Sequence, residues 1–194
     1  MKIGVLALQG AFIEHVNVLR QLQVEAFPVR LPHELDNLDA IIIPGGESTS
    51  ILNLMQNFDF VQPLKELAQA GLPVLGTCAG MICLARKVSD SISPGLESLA
   101  VMDIEVRRNA FGRQVDSFES ELLLPALGQE PFPAVFIRAP IIDRVAPQVE
   151  ILAKLPDGTA VAARQGKLVA TAFHPELSSD SRFHRYFLDI VVSR

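Results

Sequence analysis

The first half of the chain alternates short, wholly apolar runs with segments whose apolar residues recur at helical spacing. The apolar runs are residues 3–8, 40–43 and 73–76, and such runs are typical of strands covered on both faces. Phe12, Val16 and Leu19 form an amphipathic stripe that predicts a helix, and further helices are predicted around 51–58, at 60–70 and at 81–87. Strands and helices that alternate over short connections predict a parallel sheet flanked by helices.

The second half predicts a smaller, antiparallel part. Residues 104–107 alternate apolar and polar side chains, 109–112 resemble a turn, and 115–118 are expected to return as the second strand of a hairpin. Further strands are predicted at 134–138, 150–155, 160–164 and 168–173, and a last helix at 180–192. We therefore expect a single domain over residues 1–194, an α/β sandwich with an antiparallel excursion in its second half.

Composition and charge exclude several classes of protein. The net charge is −5 and there is no basic block, whereas a protein that binds nucleic acid electrostatically carries the opposite balance. Two cysteines cannot by themselves form a disulfide framework or close a zinc site. We predict neither a metal nor another cofactor, and no nucleic-acid partner.

Two uncharged stretches resemble membrane segments without being typical of them. Residues 67–85 are long enough to span a bilayer, but they contain three glycines and a proline, which favour a helix end, a strand and a turn. The run 3–8 is soon interrupted by Gln9 and Glu14 and lacks a small-residue cleavage site, which favours a first strand over a signal peptide. We expect a cytoplasmic protein without membrane contact.

The pentapeptide Gly76-Thr77-Cys78-Ala79-Gly80 is the strongest chemical signal. Gly-x-Cys-x-Gly between a buried strand and a helix is the cysteine form of a nucleophile elbow, whose tight turn needs small residues two positions to either side. The start of the following helix favours a thiolate. Cys83 lies in an apolar stretch without flanking glycines and is predicted to be a core thiol.

A nucleophilic cysteine needs a base, and the base needs an orienting group. Of the four histidines, His174 follows the apolar run 168–173 and precedes a proline, which favours an extended backbone. Glu176 then points the same way and can orient the ring, as in a Cys-His-acid arrangement. His15 and His184 lie on predicted helices beside charged residues and are expected at the surface, whereas His33 lies in a polar connection.

A glycine pair follows the second apolar run, in Pro44-Gly45-Gly46-Glu47-Ser48. Its backbone N–H groups can approach a ligand at the sheet edge that also carries Cys78, which is typical of an oxyanion hole. Alternatively, Ser48 or Thr49 caps a helix beginning near residue 50. The two interpretations are compatible.

Taken together, these residues resemble the class I glutamine amidotransferases, and most closely the glutaminase subunits of pyridoxal 5′-phosphate synthases. The resemblance covers essentially the whole chain, and its most specific part is the segment 108–119. It rests on six segments that occur in order: LQGA (8–11), PGGEST (44–49), GTCAG (76–80), RNAFGRQVDSFE (108–119), FIRAP (136–140) and FHPEL (173–177).

The resemblance implies the three-layer, flavodoxin-like fold of class I glutamine amidotransferases. It also implies hydrolysis of L-glutamine to glutamate and ammonia, with the ammonia passed to a synthase subunit in a large hetero-oligomeric complex. Such a subunit is expected to have little glutaminase activity until it docks onto the synthase subunit, with Gln9 as a candidate reporter of docking.

The resemblance also assigns roles to individual residues. Cys78 is the nucleophile, His174 the general base and acid, and Glu176 its orienter. Gly46 and Ala79 supply oxyanion N–H groups. Arg107 stands where the family more often has an acidic residue, so that the substrate arginine is either Arg107 or Arg108, and we choose Arg108 because it adjoins Asn109. The residues implied to bind substrate are Gly46, Glu47, Ser48, Arg108, Ile137 and Arg138.

Three other functions compete with this one. The first is a glutaminase subunit that serves histidine or purine synthesis, against which the segment 108–119 argues. The second is a stress-associated hydrolase or chaperone with the same cysteine elbow, which would not require His-Pro-Glu. The third is a catalytically inactive interaction module, which the intact triad disfavours.

Overall fold

A computed structural model describes residues 1–89, 95–110 and 117–193 of the chain. The helices are α1 Phe12–Gln21, α2 Ser48–Asn57, α3 Val61–Gln69, α4 Ala79–Leu84 and α5 Arg182–Val192. The strands are β1 Lys2–Leu6, β2 Glu25–Val29, β3 Ala40–Ile43, β4 Val74–Thr77, β5 Ala85–Val88, β6 Met102–Arg107, β7 Ser117–Leu122, β8 Phe132–Ile137, β9 Ile141–Val145, β10 Glu150–Lys154, β11 Ala160–Gln165 and β12 Leu168–Thr171.

The first half of the chain, together with β12, forms the main parallel part of a ten-stranded sheet. The strands run in the order β2-β1-β3-β4-β12, and each neighbouring pair is parallel. Every residue of β3, β4 and β12 is buried, as expected for strands covered on both faces. The predicted α/β class, with a largely parallel central sheet and flanking helices, is confirmed.

The second half extends the same sheet beyond β12 in the order β11-β9-β6-β5, with β10 paired to β11. The pairs β12–β11, β11–β9 and β9–β6 are antiparallel, so the predicted antiparallel excursion is present. The predicted hairpin of 104–107 with 115–118 is wrong, because β6 is paired on both edges by β5 and β9. β7 instead pairs with β8 in a separate two-stranded sheet. Residues 111–116, on which part of that prediction falls, lie outside the described residues.

One helix prediction is corrected in its bounds. The helix expected over 81–87 spans Ala79–Leu84 and gives way directly to strand β5, whose Arg86 and Lys87 are exposed at the sheet edge. The uncharged stretch 67–85 resolves into the end of α3, strand β4 and helix α4. Within 1–89, 95–110 and 117–193, no helix is long and apolar enough to cross a membrane.

Aromatic packing joins the small β7–β8 sheet to the main one. On β8, the ring centroid of Phe132 lies 5.8 Å from that of Phe173 and 6.0 Å from that of Phe183. The ring centroid of Phe136 lies 5.8 Å from that of Phe173. The backbone N–H of His174 donates to the carbonyl of Val135 on β8 over 2.8 Å. β8 therefore fixes the segment that follows β12, where the predicted base lies.

Candidate active site

Cys78 lies between β4 and α4 with a backbone conformation that side chains rarely adopt. Its φ is 50° and its ψ is −103°, and such strain persists only where the surrounding structure enforces it. Here the Cys78 N–H donates to the carbonyl of Thr171 on β12 over 2.7 Å, and the Cys78 carbonyl accepts from Met81 over 3.1 Å. The chain thus turns sharply and directs the side chain of Cys78 out of the sheet edge.

Gly76 and Gly80 make this turn possible, as the sequence predicts. A Cβ on Gly76 would lie 2.6 Å from the backbone of Gly80, and a Cβ on Gly80 would lie 2.0 Å from the carbonyl oxygen of Ile43. Both contacts are with backbone, which cannot move aside as a flexible side chain can. The two glycines therefore allow β4, α4 and β3 to approach closely enough to form the elbow.

His174 and Glu176 form a close, buried pair beside the cysteine. His174 Nδ1 lies 2.7 Å from Glu176 Oε1, which leaves Nε2 for the sulfur. The predicted extended geometry is wrong, because Glu176 lies in a 3-10 turn, Pro175–Leu177, that begins directly after His174. The turn brings the carboxylate back to the ring, so the contact forms by another route.

The surroundings of His174 favour its charged form. Burial opposes the charge, but hydrogen bonding and electrostatic attraction to Cys78 and Glu176 outweigh burial and raise the pKa of His174 to about 10. Burial likewise opposes ionisation of Glu176, yet the neighbouring histidines lower the pKa of its carboxyl. A protonated ring next to the Cys78 sulfur stabilises negative charge on it.

The second cysteine behaves differently. Cys83 lies within α4 and is fully buried, and burial raises the pKa of its thiol to about 12. Cys78 retains a small accessible surface and lines a cavity. The two thiols therefore occupy the contrasting surroundings that the sequence predicts.

A cavity of about 280 Å³ opens above Cys78. Glu176 does not line it and lies behind His174. Among the residues that the sequence singles out, the cavity brings together Gln9, Gly46, Glu47, Ser48, Cys78, Ala79, Arg108, Ile137, Arg138 and His174. The site thus combines a thiol, a base, backbone N–H groups and two cationic side chains around one small volume.

Glu47 serves as the N-cap of α2, which corrects the expected cap at Ser48 or Thr49. Its carboxylate accepts from the N–H groups of Thr49 and Ser50 over 2.9 and 2.7 Å. Desolvation opposes ionisation, but these bonds and the Ser50 hydroxyl outweigh it and lower the pKa of Glu47 to about 2. The N–H of Glu47 itself donates to Gln9 Oε1 over 2.9 Å.

The two adjacent arginines point to different surroundings. Arg107 pairs with Asp143 over 3.0 Å, outside the cavity. Arg108 lines the cavity, and its Nη2 lies 3.3 Å from Thr49 Oγ1 and 3.5 Å from Glu47 Oε1. Arg108 is therefore the one of the pair that is placed to meet a ligand above Cys78.

His15 and His184 are fully buried, so the prediction that they lie at the surface is wrong. Each lies on the apolar stripe of its helix, three residues from Phe12 in α1 and from Phe187 in α5. The charged residues next to them in the sequence suggested exposure, whereas their helical spacing from the apolar residues predicts burial. His15 contacts Oε2 of Glu176, the oxygen that His174 does not bind, and it also contacts Thr77 and His184.

Comparison with known protein families identifies the family to which this chain belongs. The sequence profile of the SNO glutamine amidotransferase family matches residues 5–193. This chain belongs to the SNO glutamine amidotransferase family.

Individual relatives of this SNO family member are similar over nearly their whole length. A protein of Dehalococcoides mccartyi is 61% identical over 98% of this chain and 97% of its own, and one of Herpetosiphon aurantiacus is 57% identical over 98% and 100%. Both are named pyridoxal 5′-phosphate synthase subunit PdxT.

Solved structures agree with the SNO family assignment. A crystal structure of a glutamine amidotransferase, 44% identical, superposes with a TM-score of 0.92 and covers 100% of both chains. A putative GMP synthase subunit of Thermoplasma acidophilum, 19% identical, superposes with a TM-score of 0.71 over 98% of this chain and 94% of that one. The second similarity is one of fold alone.

Proposed function

We propose that this chain hydrolyses L-glutamine to L-glutamate and ammonia and delivers the ammonia to the synthase subunit of a pyridoxal 5′-phosphate synthase. The observation that carries the proposal is the Cys78 elbow, which shares a cavity with His174, whose ring is bound to Glu176 over 2.7 Å. The glutaminase unit is proposed to be a single domain of residues 1–194.

The proposed reaction passes through a thioester. The Cys78 sulfur attacks the side-chain amide carbon of glutamine, and His174 gives its proton to the departing nitrogen, which leaves as ammonia. His174 then takes a proton from water, the resulting hydroxide attacks the thioester carbon, and glutamate leaves as the thiolate is restored. Glu176 keeps the ring oriented through both steps.

Backbone N–H groups are proposed to stabilise the two tetrahedral intermediates. Gly46 follows β3 and Ala79 begins α4, and both line the cavity beside Cys78. Fixed donors directed at a developing oxyanion commonly supply the largest part of such catalysis. Gln9 Oε1 accepts a hydrogen bond from the N–H of Glu47, which directly follows Gly46. Because this bond adjoins the proposed oxyanion hole, Gln9 is a candidate reporter of docking.

The charges around the cavity suit the two ends of free glutamine. The guanidinium of Arg108 is proposed to bind the substrate carboxylate through paired hydrogen bonds. Arg138 and Ile137 lie across the cavity and are proposed as a second contact pair. Glu47 and Ser48 are proposed to line the ammonium end, with the Glu47 carboxylate already engaged in capping α2.

The proposed partner follows from the names of the relatives, which are subunits of one enzyme. We propose that the chain works in a large hetero-oligomeric complex in the cytoplasm, and uses neither nucleic acid nor membrane. Glutaminase subunits of histidine or purine synthesis are disfavoured, because the relatives at 61% and 57% identity are both named pyridoxal 5′-phosphate synthase subunits. The cysteine-elbow hydrolase or chaperone is disfavoured by the family match.

A glutamine-hydrolysis assay with and without the synthase subunit tests the proposal. We expect ammonia release that rises when the synthase is added, and none from the Cys78→Ala variant, which should fold normally because alanine removes only the sulfur. Cys83→Ala serves as the matched control and should retain activity. Substantial ammonia release by folded Cys78→Ala protein would exclude Cys78 as the nucleophile. Rates of ammonia release that do not change when the synthase is added would exclude coupling to the synthase.

A further inference from the structure

Three side chains that the proposed mechanism does not use are buried behind the triad. His15 of α1 lies with its Nδ1 3.0 Å from Nε2 of His184 on α5. Its Nε2 lies 3.2 Å from the Thr77 hydroxyl on β4 and 3.2 Å from Glu176 Oε2. Neither histidine lines the cavity above Cys78. Among the described triad residues, the one that a histidine of this cluster contacts is Glu176.

The carboxylate decides which way the protons of this cluster are arranged. If Nε2 of His15 were bare, its lone pair would lie against a negative oxygen. The favourable arrangement puts the proton on Nε2, directed at Thr77 and Glu176, and leaves Nδ1 to accept from Nε2–H of His184. The remaining nitrogen, His184 Nδ1, then carries no proton, which agrees with its lack of a hydrogen-bond partner among the described residues.

Burial keeps both rings neutral. Desolvation lowers the pKa of His15, although Glu176 partly offsets it, and lowers the pKa of His184 to about 3, reinforced by His15. The charged or titratable groups that face His15 are Glu176 and His174 from the segment after β12, His184 from α5 and Glu14 from α1. The His15 ring therefore acts on Glu176 as a directed N–H dipole.

Glu176 needs such a neighbour for its second oxygen. Oε1 is bound by His174, whereas Oε2 is buried and, within the described part of the chain, makes no hydrogen bond of normal geometry. The nearest polar hydrogen in the favoured arrangement is that of His15 Nε2. A core position filled for packing alone would not require a histidine, whose ring nitrogens are costly to bury.

We propose that His15 is a positioning residue, whose Nε2–H attracts Oε2 of Glu176 over 3.2 Å and thereby fixes the carboxylate that orients the His174 ring. This inference rests on the glutaminase function proposed above. His184 supports it by accepting no proton itself and by fixing the proton of His15 on the nitrogen that faces Glu176.

Two polar substitutions of His15 test the proposal. His15→Gln can place an amide N–H near the position of Nε2, whereas His15→Asn is polar but too short to reach Glu176. With the synthase subunit present, we expect His15→Asn to lower kcat about tenfold with KM changed less than twofold, because the charged carboxylate loses the polar contact that orients it. His15→Gln should retain most of kcat. His33→Gln, an exposed histidine substitution, is the control and should match the parent protein.

A second readout follows the thiol rather than the reaction. The pH profile of Cys78 alkylation by iodoacetamide reports the Cys78–His174 pair, with buried Cys83 unreactive. We expect the midpoint to rise in His15→Asn and to stay in His15→Gln. In a Glu176→Gln background, His15→Asn should add no further change, because its effect passes through that carboxylate.

Three outcomes would overturn the proposal. The first is an equal loss of kcat in His15→Asn and His15→Gln, and the second is an unchanged kcat and alkylation midpoint in His15→Asn. The third is an effect of His15→Asn on kcat or midpoint that is as large in the Glu176→Gln background as in the parent protein. Ring-nitrogen NMR of the unmutated protein decides the matter if a variant fails to fold. A neutral His15 protonated on Nε2 supports the proposal, and one protonated on Nδ1 overturns it. Alkylation and NMR need no glutamine, so an absence of ammonia release would contradict the glutaminase function alone.

Discussion

At the scale of single residues, the proposed chemistry depends on direct contacts between the side chains of the triad. Glu176 touches His174 through one oxygen over 2.7 Å, and the ring in turn acts on Cys78. His174 handles protons in both proposed steps, whereas Glu176 only orients it. The two side chains are therefore expected to differ in their effect on rate.

We expect His174→Asn to abolish measurable turnover and Glu176→Gln to lower kcat less, because a glutamine amide still presents an oxygen to Nδ1. General acid–base catalysis alone is worth about 10²–10⁴-fold. Initial rates of ammonia release with the synthase present give the order of the two variants. A Glu176→Gln variant slower than His174→Asn would show that the carboxylate does more than orient the ring.

At the scale of elements, the turns that join strands to helices carry the chemistry. The elbow of Cys78 requires β4, α4 and β3 to pack with backbone in contact, and the start of α2 is capped by a carboxylate that lines the cavity. Each of these junctions can therefore be tested by a single substitution.

Gly80→Ala is expected to destabilise the elbow. The added Cβ would lie 2.0 Å from the carbonyl oxygen of Ile43, and overpacking of this kind costs about 1–3 kcal/mol. Denaturant unfolding should show the loss, and Cys78 alkylation should slow. Gly158→Ala, at a turn where an added Cβ meets nothing within 4 Å but φ is +88°, should also lose stability through backbone strain and yet leave alkylation unchanged. Unaltered stability and alkylation in Gly80→Ala would mean that α4 shifts freely.

Glu47→Ala is expected to lower the free energy of unfolding by about 1 kcal/mol through loss of the α2 cap. Because the pKa of Glu47 is about 2 in the folded chain, its contribution is present above its ordinary pKa and fades as the pH falls towards 2. The difference between parent and variant should therefore shrink in acid. Glu25→Ala, an exposed carboxylate on β2, should show neither effect.

At the scale of the whole molecule, one sheet gathers the site from distant parts of the chain. The turns after β3, β4 and β12 meet at one edge. Helices α1 and α5, from opposite ends of the sequence, place His15 against Glu176 and His184 against His15. The neutral histidines therefore link the stability of the whole fold to pH.

Stability is expected to fall as the pH drops from about 6.5 towards 3. An unfolded chain protonates His184 near its ordinary pKa, whereas the folded chain does so only near 3, so the unfolded state binds more protons in this window. One such group contributes at most about 1.4 kcal/mol per pH unit. His184→Gln should flatten the profile measured by chemical denaturation, and His33→Gln should not. An unchanged slope in His184→Gln would show that the ring is charged in the folded chain.

The sequence alone determined the fold class and predicted Cys78, His174 and Glu176 as the candidate triad. Apolar runs that are buried on both faces and helices with 3.6-residue stripes are local patterns, so they can be read without the fold. The glycines around Cys78 are an equally local signal, because the backbone of one tight turn requires them. The choice of Arg108 used resemblance, and the structure places it in the cavity while Arg107 pairs with Asp143.

Only the tertiary structure decided what lies behind the triad and how strands of the second half pair. β6 finds its partners in β5 and β9 rather than in β7, because pairing depends on edges left open by the rest of the sheet. Glu176 reaches His174 through a 3-10 turn rather than an extended segment. His15 and His184, 169 residues apart, become neighbours only when α1 and α5 pack beside the sheet, because burial depends on the elements that cover a helix as well as on the helix itself.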